Sequence, residues 1–255
     1  MELWLIKLLG ASGIYFATLF SGWFPLRART KQKHHCASLG ESLASGVFLG
    51  AALFHMLPEA QEGFEKAITT SHYPFASLFC VMGFMVLLML DKVSILWSKA
   101  TDPTHSKHLL VYALTLAISI HAFIEGAALG VNTTMATVSI IFIAILAHKG
   151  SESFSLATTL SRSPLSLWRV NTLFFAFALV TPIGIALGSM VSYHFASTSG
   201  ILATAFFNAL AAGTFLYIAT MHNLKEYLLH GTRHALNFTC MVLGLVIMAL
   251  VAVWV

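Results

Sequence analysis

Charge is what this sequence has least of. Only 9% of its 255 residues are charged, against about 25% in a soluble domain. A soluble fold of this size needs more polar surface than that, and 58% of the residues are hydrophobic. Two soluble domains, a coiled coil and a disordered chain are excluded. Cysteine is scarce as well: Cys36, Cys80 and Cys240 lack the paired spacing of a disulfide framework or a CxxC metal site. The excess of 14 Lys and Arg over 10 Asp and Glu is too small for a nucleic-acid footprint. No Walker motif occurs, so ATP is not the energy source. No segment alternates apolar and polar residues as a membrane β-strand does. What is left is an integral membrane protein built of helices. It has one surplus, twelve histidines, more than its acids.

Apolar runs of about 20 residues, the length that crosses a bilayer, occur eight times. They lie near 3–24, 37–60, 73–97, 109–131, 135–160, 168–192, 200–228 and 234–254. The expected fold is a single all-α transmembrane domain over residues 1–255. Basic residues set its orientation. Arg27, Arg29, Lys31 and Lys33 follow the first span, Lys99 and Lys107 the third; Arg162 and Arg169 flank the fifth loop, and Arg233 precedes the eighth span. The alternate loops hold only Lys66. The chain is therefore expected as a multi-pass protein of the cell membrane (plasma or inner), with both termini on the extracytoplasmic side and lipid as its first partner. A homodimer is compatible with this composition.

Spans two and seven read alike. Ala44, Gly46, Phe48, Leu49, Ala52, His55, Leu57 and Glu59 fall in register with Ala211, Gly213, Phe215, Leu216, Ala219, His222, Leu224 and Glu226. The two spans run in opposite directions. The match therefore predicts an inverted repeat, spans 1–3 against 6–8, arranged around spans 4–5.

The repeat carries chemistry. Four His-x-x-x-Glu pairs lie within spans: His55/Glu59, His121/Glu125, His148/Glu152 and His222/Glu226. A spacing of four puts both side chains on one helix face. An imidazole nitrogen with a carboxylate suits a borderline divalent cation such as Zn²⁺. A carboxylate in hydrocarbon is costly unless it is paired or solvated, so each Glu is a functional candidate. His121/Glu125 and His148/Glu152 lie midway along consecutive spans. Facing each other, they supply two nitrogens and two carboxylates at one depth. His55/Glu59 and His222/Glu226 lie at opposite ends of the bundle, as an outer capturing site and an inner releasing site. Gly46/Gly50, Gly126/Gly130 and Gly184/Gly188 are spaced for close helix packing. Pro182 is expected to break span six and line a cavity.

His121-Ala122-Phe123-Ile124-Glu125-Gly126, with Ala128 and Gly130 after it, resembles the fourth-span signature of the ZIP (Zrt/Irt-like) metal transporters. His148-Lys149-Gly150-Ser151-Glu152 resembles their fifth-span motif. The likeness continues through Thr181-Pro182-Ile183-Gly184 and the stretch from Ala211 to Tyr217. It implies eight spans and uptake of Zn²⁺, and sometimes of Fe²⁺, Cd²⁺ or other divalent ions, into the cytoplasm. The ion is a substrate here, and no cofactor is expected. Many members of the family resemble H-N-x-P-E-G in span four and [HQ]-D-x-P-E-G in span five, with two metals. Here Ala122, Lys149 and Thr181 replace ligands of the second metal, as in the branch with Lys beside the fifth-span ligand.

An ammonium beside two carboxylates substitutes for a second cation. The expected site is therefore mononuclear: His121, Glu125, His148 and Glu152 as ligands, with Lys149 as built-in counter-charge. The bland alternative is that Lys149 snorkels to solvent. The expected function is alternating-access transport without enzymatic chemistry, with uptake falling at acid pH because protons compete for the ligands. The alternative is an intramembrane zinc-dependent hydrolase, which needs an open metal position and a general base. No H-E-x-x-H or similar motif supplies them.

Overall fold

The computed structural model describes residues 3–28, 34–100, 103–190, 198–221 and 234–253. Its elements are the helices α1 (Leu3–Ala28), α2 (His34–Ala51), α3 (Leu57–Ala67), α4 (Phe75–Ala100), α5 (Pro103–Val131), α6 (Met135–Arg162), α7 (Leu167–Met190), α8 (Thr198–Tyr217) and α9 (His234–Val251). A π-helical turn over Ala52–Met56 joins α2 to α3, and the described residues then form eight membrane-length spans. In hydrocarbon each backbone N–H and C=O must find a partner within the chain, and long helices satisfy that demand locally. Their outward faces carry large apolar residues such as Phe16, Phe20, Met85, Leu116, Ile143 and Leu250. The spans formed by α2–α3, α5, α6 and α8 are the most enclosed, while α1, α4 and α9 are peripheral.

Helix pairing has the symmetry that an inverted repeat demands. α1 lies along α6, α5 along α7, α2 along α9 and α4 along α8. In spans these are one with five, four with six, two with eight and three with seven. Exchanging spans one and six, two and seven, three and eight, and four and five carries every pair onto another.

The crossings are made by small residues. A Cβ on Gly126 would lie 2.3 Å from Thr181 O, and one on Gly184 would lie 2.4 Å from Phe123 O. Backbones that close admit no side chain, and packing takes the place of a hydrophobic drive between helices. Gly46 and Gly213, matched in the repeat, meet the backbone of Met241 and Cys80 in the same manner. A second mark of the repeat is backbone geometry: the π turn of span two is answered by π-helical residues 218–221 in span seven. Such turns insert one residue and re-aim the side chains beyond it, and they recur at functional sites.

Span six corrects one expectation. α7 runs unbroken from Leu167 to Met190 with Pro182 inside it. Beyond Pro182, Gly184 and Gly188 bring the backbone of α7 close to that of α5. Pro182 does line a cleft of about 740 Å³ between α1 and α7, together with Trp4, Lys7 and Ser189.

The pairings divide the helices into two groups. In one, α6 and α7 each pack on both α1 and α5; in the other, α2 packs on α8 and α9, and α3, α4 and α8 pack on one another. The two groups meet chiefly along α4–α5 and α2–α6. Side chains reinforce the first group. Lys7 Nζ donates to Gly130 O at 2.5 Å, Ser189 Oγ to the same carbonyl at 3.1 Å, and Ser153 Oγ to Thr18 O at 2.6 Å.

Candidate metal centre

α5 and α6 bring three candidate ligands together, all of them buried. Glu125 Oε1 lies 3.0 Å from His121 Nε2 and 2.5 Å from His148 Nε2. One ligand atom from each of the three residues lies within 4.8 Å of the others, and all three residues are buried. A tetrahedral ion with bonds of about 2.1 Å holds its donors roughly 3.4 Å apart. These side chains reach that spacing by small adjustments. The i, i+4 register stacks His121 over Glu125 on one helix face, while His148 arrives from α6.

The lone pairs are left over. His121 Nδ1 and Nε2, Glu125 Oε2, His148 Nδ1 and Glu152 Oε1 are buried and find no hydrogen-bond partner among the described residues. His121 Nε2 is close to Glu125 Oε1 but off the line that a hydrogen bond needs. Buried polar atoms without partners are rare in proteins and call for an explanation. Two imidazoles and a carboxylate with spare lone pairs fit a borderline divalent cation, and three protein ligands leave it an open position.

Glu152 and Lys149 sit beside this cluster on α6 and bond each other. Lys149 Nζ donates to Glu152 Oε2 at 2.6 Å, with both side chains almost wholly buried. The ammonium also lies 4.7 Å from the centre of the Phe177 ring on α7. At 1% exposure Lys149 does not snorkel to solvent. Of the four expected ligands, the structure gathers His121, Glu125 and His148, and it places Glu152 on the ammonium.

The outer pair has a different setting. His55 Nδ1 lies 3.5 Å from Glu59 Oε1, and the Glu59 side chain is 45% exposed. Asn208 Nδ2 on α8 donates to Glu59 Oε2 at 3.2 Å. His55 falls inside the π turn, and its ring centre is 6.1 Å from that of His148. It thus approaches the central cluster from the other helix group. His222 and Glu226 lie outside the described residues.

Several participants belong to none of the sequence motifs. Asn208 steadies Glu59, Phe177 faces Lys149, and Glu41 is a buried acid held by Arg162. The repeat contained a signal for two of these, because continuing the match of spans two and seven backward pairs Glu41 with Asn208.

The chain is similar to known proteins. The chain matches the ZIP Zinc transporter family over residues 4–109 and 98–252. It belongs to that family. It is similar to the mouse protein Zinc transporter ZIP2, with 28% identity over 95% of this chain and 93% of that one. It also resembles the human Zinc transporter ZIP2, at 27% identity over 91% of this chain and 90% of the relative. A third relative is Zinc transporter 11 of Arabidopsis thaliana, at 29% over 94% and 82%. A ZIP protein is a transporter and not an enzyme, and the hydrolase alternative has no support.

Proposed function

We propose that this ZIP protein imports divalent metal ions, Zn²⁺ foremost, into the cytoplasm. The ion passes through one mononuclear site between spans four and five. The observation that carries this reading is the buried cluster of His121, Glu125 and His148 with its surplus lone pairs. Protein lone pairs of that kind are stabilised when a cation takes them up. Glu152 serves as the fourth ligand or as the partner of Lys149, whose ammonium takes the charge of a second metal and repels a second ion.

The grouping of the helices supports alternating access. Every residue of the central cluster rides on α5 and α6, within the group α1, α5, α6 and α7. His55 belongs to the other group, and a shift of one group against the other changes which side reaches the ligands. His55/Glu59 captures the ion at the outer face, and His222/Glu226 releases it at the inner one. The half-exposed Glu59 suits capture, which requires binding that is firm enough to collect the ion and weak enough to release it. Both termini then face the outside, as the basic loops indicate.

The test is flux in proteoliposomes with Zn²⁺, Fe²⁺, Mn²⁺ and Cd²⁺ offered separately under imposed proton and voltage gradients. Zn²⁺ uptake is expected to be lost in His121→Ala and Glu125→Ala. Uptake unaffected by both substitutions would refute the central site. Calorimetry finding two equivalent metals per chain would refute the mononuclear reading.

A further inference from the structure

The cleft between α1 and α7 contains none of the metal-site residues. Trp4, Leu8, Phe16 and Leu179 in its lining are exposed and apolar, so in a bilayer the cleft opens to lipid. It is a slot along the helices. On α1 its lining runs from Leu3 to Phe16, and on α7 from Leu179 to Ser189. At 1.5 Å per residue these stretches span about 15–20 Å. That is roughly the depth of one leaflet, half of a hydrocarbon core about 30 Å thick.

One cation interrupts the apolar surface. Among the described residues that line the cleft, Lys7 alone is charged. It lies near the end of the slot where α1 begins and where α5 and α7 stop. Its Nζ donates to Gly130 O at 2.5 Å, and Ser189 Oγ donates to the same carbonyl at 3.1 Å. Gly130 is the next-to-last residue of α5, so the ammonium sits at a helix C-terminus, where the backbone dipole offers about half a negative charge. No carboxylate among the described residues pairs with Lys7. The carbonyl takes one of the three N–H donors of the ammonium. A net positive charge with two spare donors is left at one end of an apolar slot.

The geometry points to this cleft as a binding site for a phospholipid with an anionic headgroup. The phosphate accepts from Lys7 Nζ, and an acyl chain lies along the slot toward the middle of the membrane. A bilayer presents phosphate at its surface and hydrocarbon beneath it, and basic pockets between spans recognise headgroups in this way. A zwitterionic headgroup brings a cation of its own and gains less from the lysine. Charge also favours lipid over a second copy of the chain, whose outward span faces carry large apolar residues. A cation covered by such a face stays without an anion in hydrocarbon, which is costly. The site shares no residue with the metal ligands and is independent of the direction of transport.

The experiment uses the full chain in detergent. Phosphatidylglycerol and phosphatidylcholine with the same acyl chains are added in turn, and bound lipid is counted by native mass spectrometry. Phosphatidylglycerol is expected to bind about tenfold more tightly than phosphatidylcholine. Lys7→Gln, which removes the charge and keeps a donor, is expected to abolish that preference, and Lys7→Arg to keep it. Ala186→Phe narrows the cleft without touching the charge and is expected to weaken both lipids about fivefold. Equal binding of the two lipids to the unmodified chain, or a preference unchanged in Lys7→Gln, overturns the site. Loss of a dimer in Ala186→Phe with lipid binding intact also overturns it and makes the cleft an interface between copies. A second measurement needs no variant. In liposomes, phosphatidylglycerol with a photoactivatable diazirine on its acyl chain is expected to crosslink to peptides of α1 and α7. Excess unlabelled phosphatidylglycerol suppresses this labelling, and inorganic phosphate leaves it unchanged. Crosslinks spread evenly over all spans, or displaced by inorganic phosphate, overturn the site.

Discussion

The same four-residue spacing of His and Glu occurs in two very different places. In the central cluster His121, Glu125 and His148 are buried, their contacts are 2.5 and 3.0 Å, and several lone pairs are left over. In the outer pair His55 and Glu59 are 3.5 Å apart, Glu59 is half in water, and Asn208 occupies one of its oxygens. Spacing alone makes both motifs candidate ligands. Environment separates them: the buried set gains more from a cation, because it has little water to lose and several polar atoms without partners among the described residues. A site that must hold the ion through a conformational change needs the first setting. A site that collects ions from bulk water needs the second.

The sharpest way to break this comparison is to remove one carboxylate from the centre and one imidazole from the outer pair. Glu125→Ala deletes the only acid of the three-residue cluster and leaves His148 without its 2.5 Å partner. Zn²⁺ affinity and initial uptake are expected to fall by more than about 100-fold, beyond the 10–100-fold typical of lost supporting residues. His55→Ala is expected to raise the KM for uptake by several-fold and to leave equilibrium affinity at the central site within about twofold, since its ring is one helix group away. Radioactive zinc uptake and calorimetry read the two quantities. Equal losses in both variants would erase the distinction between holding and collecting.

Lys149 tests the charge side of the comparison. Lys149→Met leaves Glu152 buried at 0% exposure without its cation. Breaking a buried pair of this kind costs about 3–5 kcal/mol. Thermal unfolding in detergent without metal is expected to show that loss. Added Zn²⁺ is expected to recover more stability in Lys149→Met than in the parent, because the ion then satisfies both carboxylates. A variant as stable as the parent would show that the ammonium carries no structural charge.

Much of this was legible in the residues. Apolar run lengths gave eight spans because the bilayer makes length and composition nearly sufficient for a helix. The repeat was legible in spans two and seven because His55 and Glu59 recur as His222 and Glu226 in a background of Ala, Gly and Leu. The depth of His121 and His148 within consecutive spans was enough to bring their side chains together, although α5 packs along α7 and α6 along α1. Other features depend on contacts between distant helices. Nothing in the sequence near Pro182 says that α7 will continue through it and bring Gly184 against Phe123 O of α5. The bonding of Glu152 to Lys149, three residues earlier, depends on Phe177 closing over the ammonium from α7. The π turn at Ala52–Met56 has no composition of its own. It became visible through its counterpart at residues 218–221.

The smallest effect belongs to Asn208, and it tests whether the outer pair is held or merely solvated. Asn208 Nδ2 donates to Glu59 Oε2 at 3.2 Å, and the residue is 8% exposed while its acceptor is 45% exposed. A hydrogen bond to a charged group is worth about 1.5–3 kcal/mol when enclosed and less when water competes. Asn208→Ala is therefore expected to leave stability within about 1 kcal/mol and to raise the KM for Zn²⁺ by about twofold without changing kcat. Asn208→Asp places a second carboxylate against Glu59 instead. If the outer pair collects cations, this variant lowers the KM, because two acids at one mouth concentrate a divalent ion more strongly than one. A KM unchanged in both variants would assign Glu59 to plain solvation and confine metal recognition to the buried cluster.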